Sequence, residues 1–135
     1  MMKNIITEKI KENPCLIRFM KISTEEICLT AVKNSGYLLQ YIKNQTPEIC
    51  LAAVKQNGYA IQFVKEQTPE ICLEAVKNGA PLHYINKQTE EMCLIAVSLS
   101  GLQLQYVQNQ TEEICLTAVK QNGYALQYVK QQTPE

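Results

Sequence analysis

The sequence predicts an all-α protein, an α-solenoid of about six helix-turn-helix repeats of 22 residues each. Three observations predict this fold class. One phrase recurs along the chain, each copy contains the signals that begin and end two short helices, and both helices carry apolar arcs too wide for one partner. Helices this short are unstable alone, and stacked repeats give each helix neighbours on two sides. We therefore expect a single domain over residues 1–135.

The repeat boundaries follow from five threonines that recur at intervals of 22 residues, with one interval of 21. A degenerate, more polar unit precedes them, which is typical of a terminal capping repeat. Residues 133–135 begin a further, truncated unit. We number the six full units repeat 1 to repeat 6, with predicted boundaries of 1–23, 24–45, 46–67, 68–88, 89–110 and 111–132.

The first helix of each repeat begins after its threonine, because a threonine hydroxyl suits the N-cap position. Pro47 and Pro69 fall at the first helical position, where proline is tolerated. A glycine follows the last helical residue, usually after Asn or Ser, and this predicts a left-handed C′ cap. The apolar arc of this helix spans roughly 200°. In repeat 3 it contains Ile49, Cys50, Leu51, Ala53 and Val54.

The second helix is predicted to run for about eight residues, from the residue after the glycine to the next glutamine. Its apolar arc is similarly wide, so it also needs neighbours on two sides. In repeat 3 the arc contains Tyr59, Ala60, Ile61, Phe63 and Val64.

The recurring phrase is E-I-C-L-x-A-V-K-x-N-G-Y-x-L-Q-Y-V, clearest at residues 48–64 and 113–129. It resembles the repeat family known as domain of unknown function 4116, over residues 24–132 and more weakly before them. The resemblance implies a helical-repeat fold and brings no established activity. Members of this family are associated with bacteria and large DNA viruses. The resemblance therefore leaves open a viral or mobile-element protein that acts on a host complex.

Composition and charge exclude several classes of protein. The 13 basic and 13 acidic side chains give a formal net charge of zero at pH 7, which argues against a generic polyanion binder. No apolar run reaches the roughly 18 residues of a membrane span, and the first residues lack the apolar core of a secretory signal. Six cysteines without such a signal indicate a reducing compartment. We expect a cytoplasmic protein, in the host cytoplasm if it is viral.

The cysteines occupy one position of the repeat, between Ile or Met and Leu on the buried arc. Equivalent positions in stacked helices lie about 10 Å apart, beyond disulfide reach and without the convergence that a metal site needs. We interpret them as small core residues and expect no metal, no cofactor and no catalytic residue. The column consists of Cys28, Cys50, Cys72, Cys93 and Cys115, with Cys15 outside it.

His83 is the one histidine and replaces a glutamine found in the other regular repeats. General acid–base catalysis would need a carboxylate or nucleophile beside it, and the neighbours Leu82, Tyr84 and Asn86 supply none. An enzyme centred on His83 is therefore the third and least favoured hypothesis.

Regular rows of aromatic and amide side chains support a second hypothesis, binding of single-stranded nucleic acid. Such rows are typical of repeat proteins that stack on bases and bond to their edges. A row of lysines at the ends of the first helices would contact phosphates. Alternatively, the tyrosines pack between repeats. The face of this hypothesis consists of Tyr37, Gln40, Tyr59, Gln62, Tyr124, Gln127, Lys33, Lys55, Lys77 and Lys120.

The favoured hypothesis is a non-catalytic scaffold that mediates protein–protein interaction, and it depends on departures from the repeat. In repeat 5 the outward positions of the first helix become apolar and lose their lysine, which predicts a patch for a partner protein or a second copy. The nearly consensus last repeat should also leave an apolar face for self-association, through a two-fold mate or further repeats. The candidate partner-contact residues are Ile95, Ser98, Leu99, Leu102, His83 and Tyr84.

Overall fold

The computed structural model describes residues 2–21 and 23–130, and every regular element within those ranges is helical. Each repeat contributes one α-helix followed by one short 3₁₀ helix. The α-helices are α1 (Met2–Glu12), α2 (Glu25–Asn34), α3 (Pro47–Gln56), α4 (Pro69–Lys77), α5 (Glu90–Leu99) and α6 (Glu112–Gln121). The 3₁₀ helices are η1 (Pro14–Phe19), η2 (Gly36–Tyr41), η3 (Gly58–Phe63), η4 (Leu82–Tyr84), η5 (Gly101–Tyr106) and η6 (Gly123–Tyr128).

The chain forms two compact units, Met1–Ala80 and Pro81–Glu135. In the first unit α1 packs on α2, α2 on α3 and α3 on α4, while η1 contacts η2 and η2 contacts η3. In the second unit α5 packs on α6, and η5 contacts both η4 and η6. The predicted fold class, all-α with stacked helical repeats, is confirmed. The assignment of residues 1–135 to one domain stays a prediction.

The predicted helix starts are confirmed by the capping geometry. Thr24 Oγ1 accepts a hydrogen bond from the Ile27 N–H at 3.3 Å, and Thr46 Oγ1 accepts one from the Ile49 N–H at 3.2 Å. The same bond begins α4, α5 and α6. Each threonine therefore satisfies one of the backbone donors that the first turn leaves unpaired.

The predicted left-handed glycine cap is wrong in most repeats. The residue before the glycine is extended, with φ −151° at Ser35, and the glycine itself begins the 3₁₀ helix. Glycine is required because a Cβ at Gly36 would collide with the Ala53 carbonyl oxygen of the next α-helix. Among the described residues a positive φ, 90°, occurs at Gly79, in the shortened repeat. Gly36, Gly58 and Gly101 thus permit close stacking of backbones, whereas Gly79 adopts a left-handed turn.

The second helix also differs from its prediction. It is a six-residue 3₁₀ helix in repeat 3, Gly58–Phe63, and not an α-helix of about eight residues. Six residues of 3₁₀ helix span about 12 Å, close to the roughly 15 Å of a ten-residue α-helix, so the short segment returns the chain across the repeat. Within η3, Ala60 and Ile61 are buried while Tyr59 and Gln62 face outward.

Candidate functional site

A glutamine at the end of a repeat joins it to the next repeat of the same unit. Gln45 donates from Nε2 to the Phe63 carbonyl at 2.8 Å, and its Oε1 accepts from the Lys65 N–H at 3.0 Å. In the second unit Gln88 bonds in the same way to Tyr106 and Gln108, and Gln110 to Tyr128 and Lys130. We call these three residues, Gln45, Gln88 and Gln110, the glutamine clamp.

The sequence pattern alone does not predict the glutamine clamp, because its partners lie 18 to 20 residues away. A signal was present, since glutamine ends every repeat from repeat 2 to repeat 6 while outward positions vary. At Gln45, Gln88 and Gln110 the recurring residue satisfies equivalent backbone groups of the next repeat.

Three cysteines of the column, Cys50, Cys93 and Cys115, belong to this bonded network. Cys50 Sγ lies 3.6 Å from Gln45 Oε1, and Cys93 Sγ lies 3.5 Å from Gln88 Oε1, with the thiols as donors. Burial raises the pKa of the Cys50, Cys72 and Cys93 thiols, and at Cys93 the Glu90 carboxylate adds to the effect. A protonated thiol is the form that can donate, so the network suits core residues.

The part of the chain that the structure describes contains no group of histidine, cysteine and carboxylate side chains that could hold a metal ion. His83 is exposed, and its ring lies 4.3 Å from the Tyr84 ring and 4.5 Å from the Tyr106 ring, centroid to centroid. Two aromatic rings thus lie beside the exposed His83 side chain. The hypothesis of an enzyme centred on this residue stays untested.

The proposed base-reading rows are partly engaged by the protein itself. The Tyr37 ring packs edge-on against Phe63 of the next repeat, with centroids 5.9 Å apart and an interplanar angle of 69°. The Gln40 amide donates to the Tyr37 carbonyl within its own 3₁₀ turn, and Gln62 and Gln127 do the same. At Tyr37 this geometry agrees with a tyrosine that packs between repeats, whereas Tyr124 is 78% exposed. The bonds within the 3₁₀ turns engage one amide donor of each of the three glutamines.

The lysine row is exposed, with Lys33, Lys55 and Lys77 in the first unit and Lys120 in the second. Lys33 and Lys55 line a shallow groove between α2 and α3, and Glu48 lines the same groove. The pKa of Glu48 is raised, first because its side chain shares a hydrogen bond with the Glu25 carboxyl and second because the two charges repel. Acidic groups therefore accompany the basic ones on this surface.

The six candidate partner-contact residues all lie in the second unit. Leu99 at the end of α5 is 56% exposed, whereas Ile95 one turn earlier is half-buried. Ser98 Oγ donates to the Ile95 carbonyl at 2.7 Å. Leu102 and Tyr84 are half-buried and His83 is exposed. On α6, Leu116 is also exposed, at 52%.

These features define a helical repeat protein whose recurring residues stack repeats and whose outward residues differ from one repeat to the next. The profile of the family described as Domain of unknown function (DUF4116) matches residues 24–68, 46–89 and 89–132. The chain belongs to this family, as the recurring phrase predicts. No curated protein and no solved structure matches it. Within residues 2–21 and 23–130, no helix has the length and apolar character needed to cross a bilayer.

Proposed function

We propose that this protein is a non-catalytic, cytoplasmic scaffold that binds another protein through the outward surface of α5. The observation that carries the proposal is the exposed Leu99, which stands where repeats 2, 3 and 6 have Asn34, Gln56 and Gln121. Gln56 and Gln121 each accept a hydrogen bond from a glycine N–H of the preceding repeat, a bond that a leucine side chain cannot make. Its burial by a partner would remove apolar surface from water at about 25 cal/mol per Å².

The residues around Leu99 would allow a partner to cover this surface and exclude water from it. Lysine occupies the equivalent of Ser98 in repeats 2, 3, 4 and 6, so repeat 5 has lost a charge that would be costly to bury. The Ser98 hydroxyl that replaces it already donates to the Ile95 carbonyl. A partner can therefore cover this surface without leaving that donor unsatisfied.

Acidic residues at the start of α5 and α6, at the opposite end of α5 from Leu99, indicate the chemistry of the partner. Glu90 and Glu91 begin α5, Glu112 and Glu113 begin α6, and all four are exposed. An apolar anchor flanked by basic side chains would complement this surface, since rim charges steer association and select partners. If the protein comes from a virus or mobile element, that partner belongs to a host complex.

The test replaces the patch by the residues of repeat 2, as Ile95→Thr with Leu99→Asn. Proteins captured from the source cell are quantified by mass spectrometry, and the Kd of the main partner is then measured with purified components. We expect binding to weaken about tenfold or more, because two apolar anchors are lost. The matched control is Thr30→Ala with Asn34→Ala on α2, which should leave the Kd unchanged.

Equal binding by both double variants would refute the proposed surface. The nucleic-acid hypothesis predicts a different outcome. The protein would bind RNA, and the logarithm of the binding constant would fall steeply with the logarithm of the salt concentration. That slope should fall for Lys33→Gln with Lys55→Gln if phosphates contact the lysine row.

A further inference from the structure

The glutamine clamp has no counterpart at the junction between repeats 1 and 2, where its position in the repeat is occupied by Ser23. The serine hydroxyl lies 3.1 Å from the Cys28 sulfur, and it is too short to extend across to the next repeat as a glutamine does. The equivalent backbone groups of repeat 2 are the Tyr41 carbonyl and the Lys43 N–H. Among the residues that the structure describes, neither group has a hydrogen-bond partner. We call these two groups the open pair.

The open pair has the same geometry as the pair of backbone groups that Gln45 joins in repeat 3. Ile42, between the two open groups, is extended with φ −99° and ψ 116°, and Val64, between the two clamped groups, has φ −75° and ψ 120°. A carbonyl and an N–H that flank one extended residue point to the same side of the chain. One carboxamide can therefore bond to both groups, as Gln45 does at 2.8 and 3.0 Å.

The groove that contains the open pair carries more basic than acidic side chains. Its exposed cations are Arg18, Lys21 and Lys43. The carboxylate in its lining is Glu25, which already accepts a hydrogen bond from the Thr46 hydroxyl at 3.1 Å. Since charges of opposite sign steer association and select partners, the groove favours an acidic ligand.

We propose that this groove binds a glutamine side chain of a partner protein, carried on a segment with acidic residues beside that glutamine. The glutamine oxygen would accept from the Lys43 N–H, and its nitrogen would donate to the Tyr41 carbonyl, as Gln45 does within the chain. The acidic neighbours would pair with the cations of the groove, where Arg18 can hold a carboxylate through two parallel bonds. The site belongs to the first unit and does not depend on the α5 patch.

The test measures binding of a defined peptide to the full chain by NMR, through the chemical shift of the Lys43 amide. The probe is a short peptide with a central glutamine flanked by aspartates, and with glycine and serine elsewhere. We expect the Lys43 amide to shift as peptide is added. Replacing the peptide glutamine by leucine or by glutamate should weaken binding about tenfold or more, because neither side chain has an N–H to donate to the Tyr41 carbonyl.

Two substitutions at one position of the protein separate the open pair from the rest of the groove. Ser23→Gln supplies the carboxamide from within the chain, so it should protect the Lys43 amide from hydrogen exchange and weaken peptide binding about tenfold or more. Ser23→Ala is the matched control, because it leaves the pair open and should leave peptide binding unchanged.

Three results would overturn the proposal. Equal affinity for the glutamine and leucine peptides would show that the groove does not recognise a carboxamide. Equal peptide binding by Ser23→Gln and Ser23→Ala, or no protection of the Lys43 amide in Ser23→Gln, would show that the open pair is not the binding site. Failure to shift the Lys43 amide at millimolar peptide would have the same meaning.

Discussion

Repeats 2 and 5 bury the same positions and carry different residues at the same outward positions. Ala31 and Ala96 are 0% and 3% exposed at equivalent places in α2 and α5. One residue earlier the outward side chain is Thr30 in one repeat and Ile95 in the other, and no rearrangement of the helix accompanies the change. The buried positions thus recur where repeats stack, while the residues at outward positions such as Thr30 and Ile95 differ from one repeat to the next.

The largest expected effect on stability comes from a substitution at an inward position. Ala53 is fully buried, and its carbonyl oxygen is the atom that approaches Gly36. Ala53→Lys should lower the free energy of unfolding by about 3–5 kcal/mol, because a long charged side chain would lie in a packed junction. The neighbouring Ala52 lines the outer groove, so Ala52→Lys should change stability by less than about 0.5 kcal/mol.

Urea unfolding followed by circular dichroism distinguishes the two variants. Where Ala53→Lys prevents folding, Ala53→Ser gives a milder version of the same change. Equal midpoints for Ala52→Lys and Ala53→Lys would contradict the separation between inward and outward positions.

A smaller effect is expected at the glutamine clamp. Gln45 makes two hydrogen bonds to the next repeat, so Gln45→Ala should cost about 1–2 kcal/mol. Gln40 is the matched control, because its amide bonds to Tyr37 within one 3₁₀ turn and Gln40→Ala should cost less. Hydrogen exchange checks the mechanism. The Lys65 amide should lose protection in Gln45→Ala alone, and equal loss in both variants would show that the clamp does not join the repeats.

The part of the fold that the sequence predicts is the part with local causes. The threonine caps and Pro47 act within one turn of helix, and both lie where the pattern places them. A local pattern does not explain Gly36. Glycine is required there because a carbonyl oxygen of the next repeat lies too close for a Cβ, and not because of the dihedral angles of Gly36. The same is true of Gln45, because its bonding partners are distant in sequence.

The exposed leucine of the candidate site could also be predicted from the sequence. An outward leucine such as Leu99 stands out against a regular pattern, and the structure leaves it exposed. The sequence pattern does not reveal that the Ser98 hydroxyl is satisfied by Ile95, because that bond depends on rotamer and helix geometry. It also predicts rows of tyrosine and glutamine without showing that Tyr37 packs against Phe63.

The smallest expected effect concerns two outward carboxyls. The pKa of Glu48 is raised above its ordinary value of 4.5 by the hydrogen bond with Glu25 and by the repulsion between the two charges. The folded state therefore binds this proton more tightly than the unfolded state does. The resulting stabilisation is complete below the ordinary pKa and is lost as pH rises through the higher folded-state value.

Glu48→Gln should consequently raise the urea midpoint slightly at pH 7, where the ionised pair repels, and should have little effect near pH 4, where Glu48 carries a proton. Glutamine also keeps a donor for the Glu25 carboxylate. Glu70→Gln on α4 is the control for simple loss of one negative charge. The two variants should diverge only as pH rises, and parallel curves would mean that Glu25 and Glu48 do not interact. A measurable but small difference would agree with the weak energetics of exposed charges, which leave the outward positions free to change.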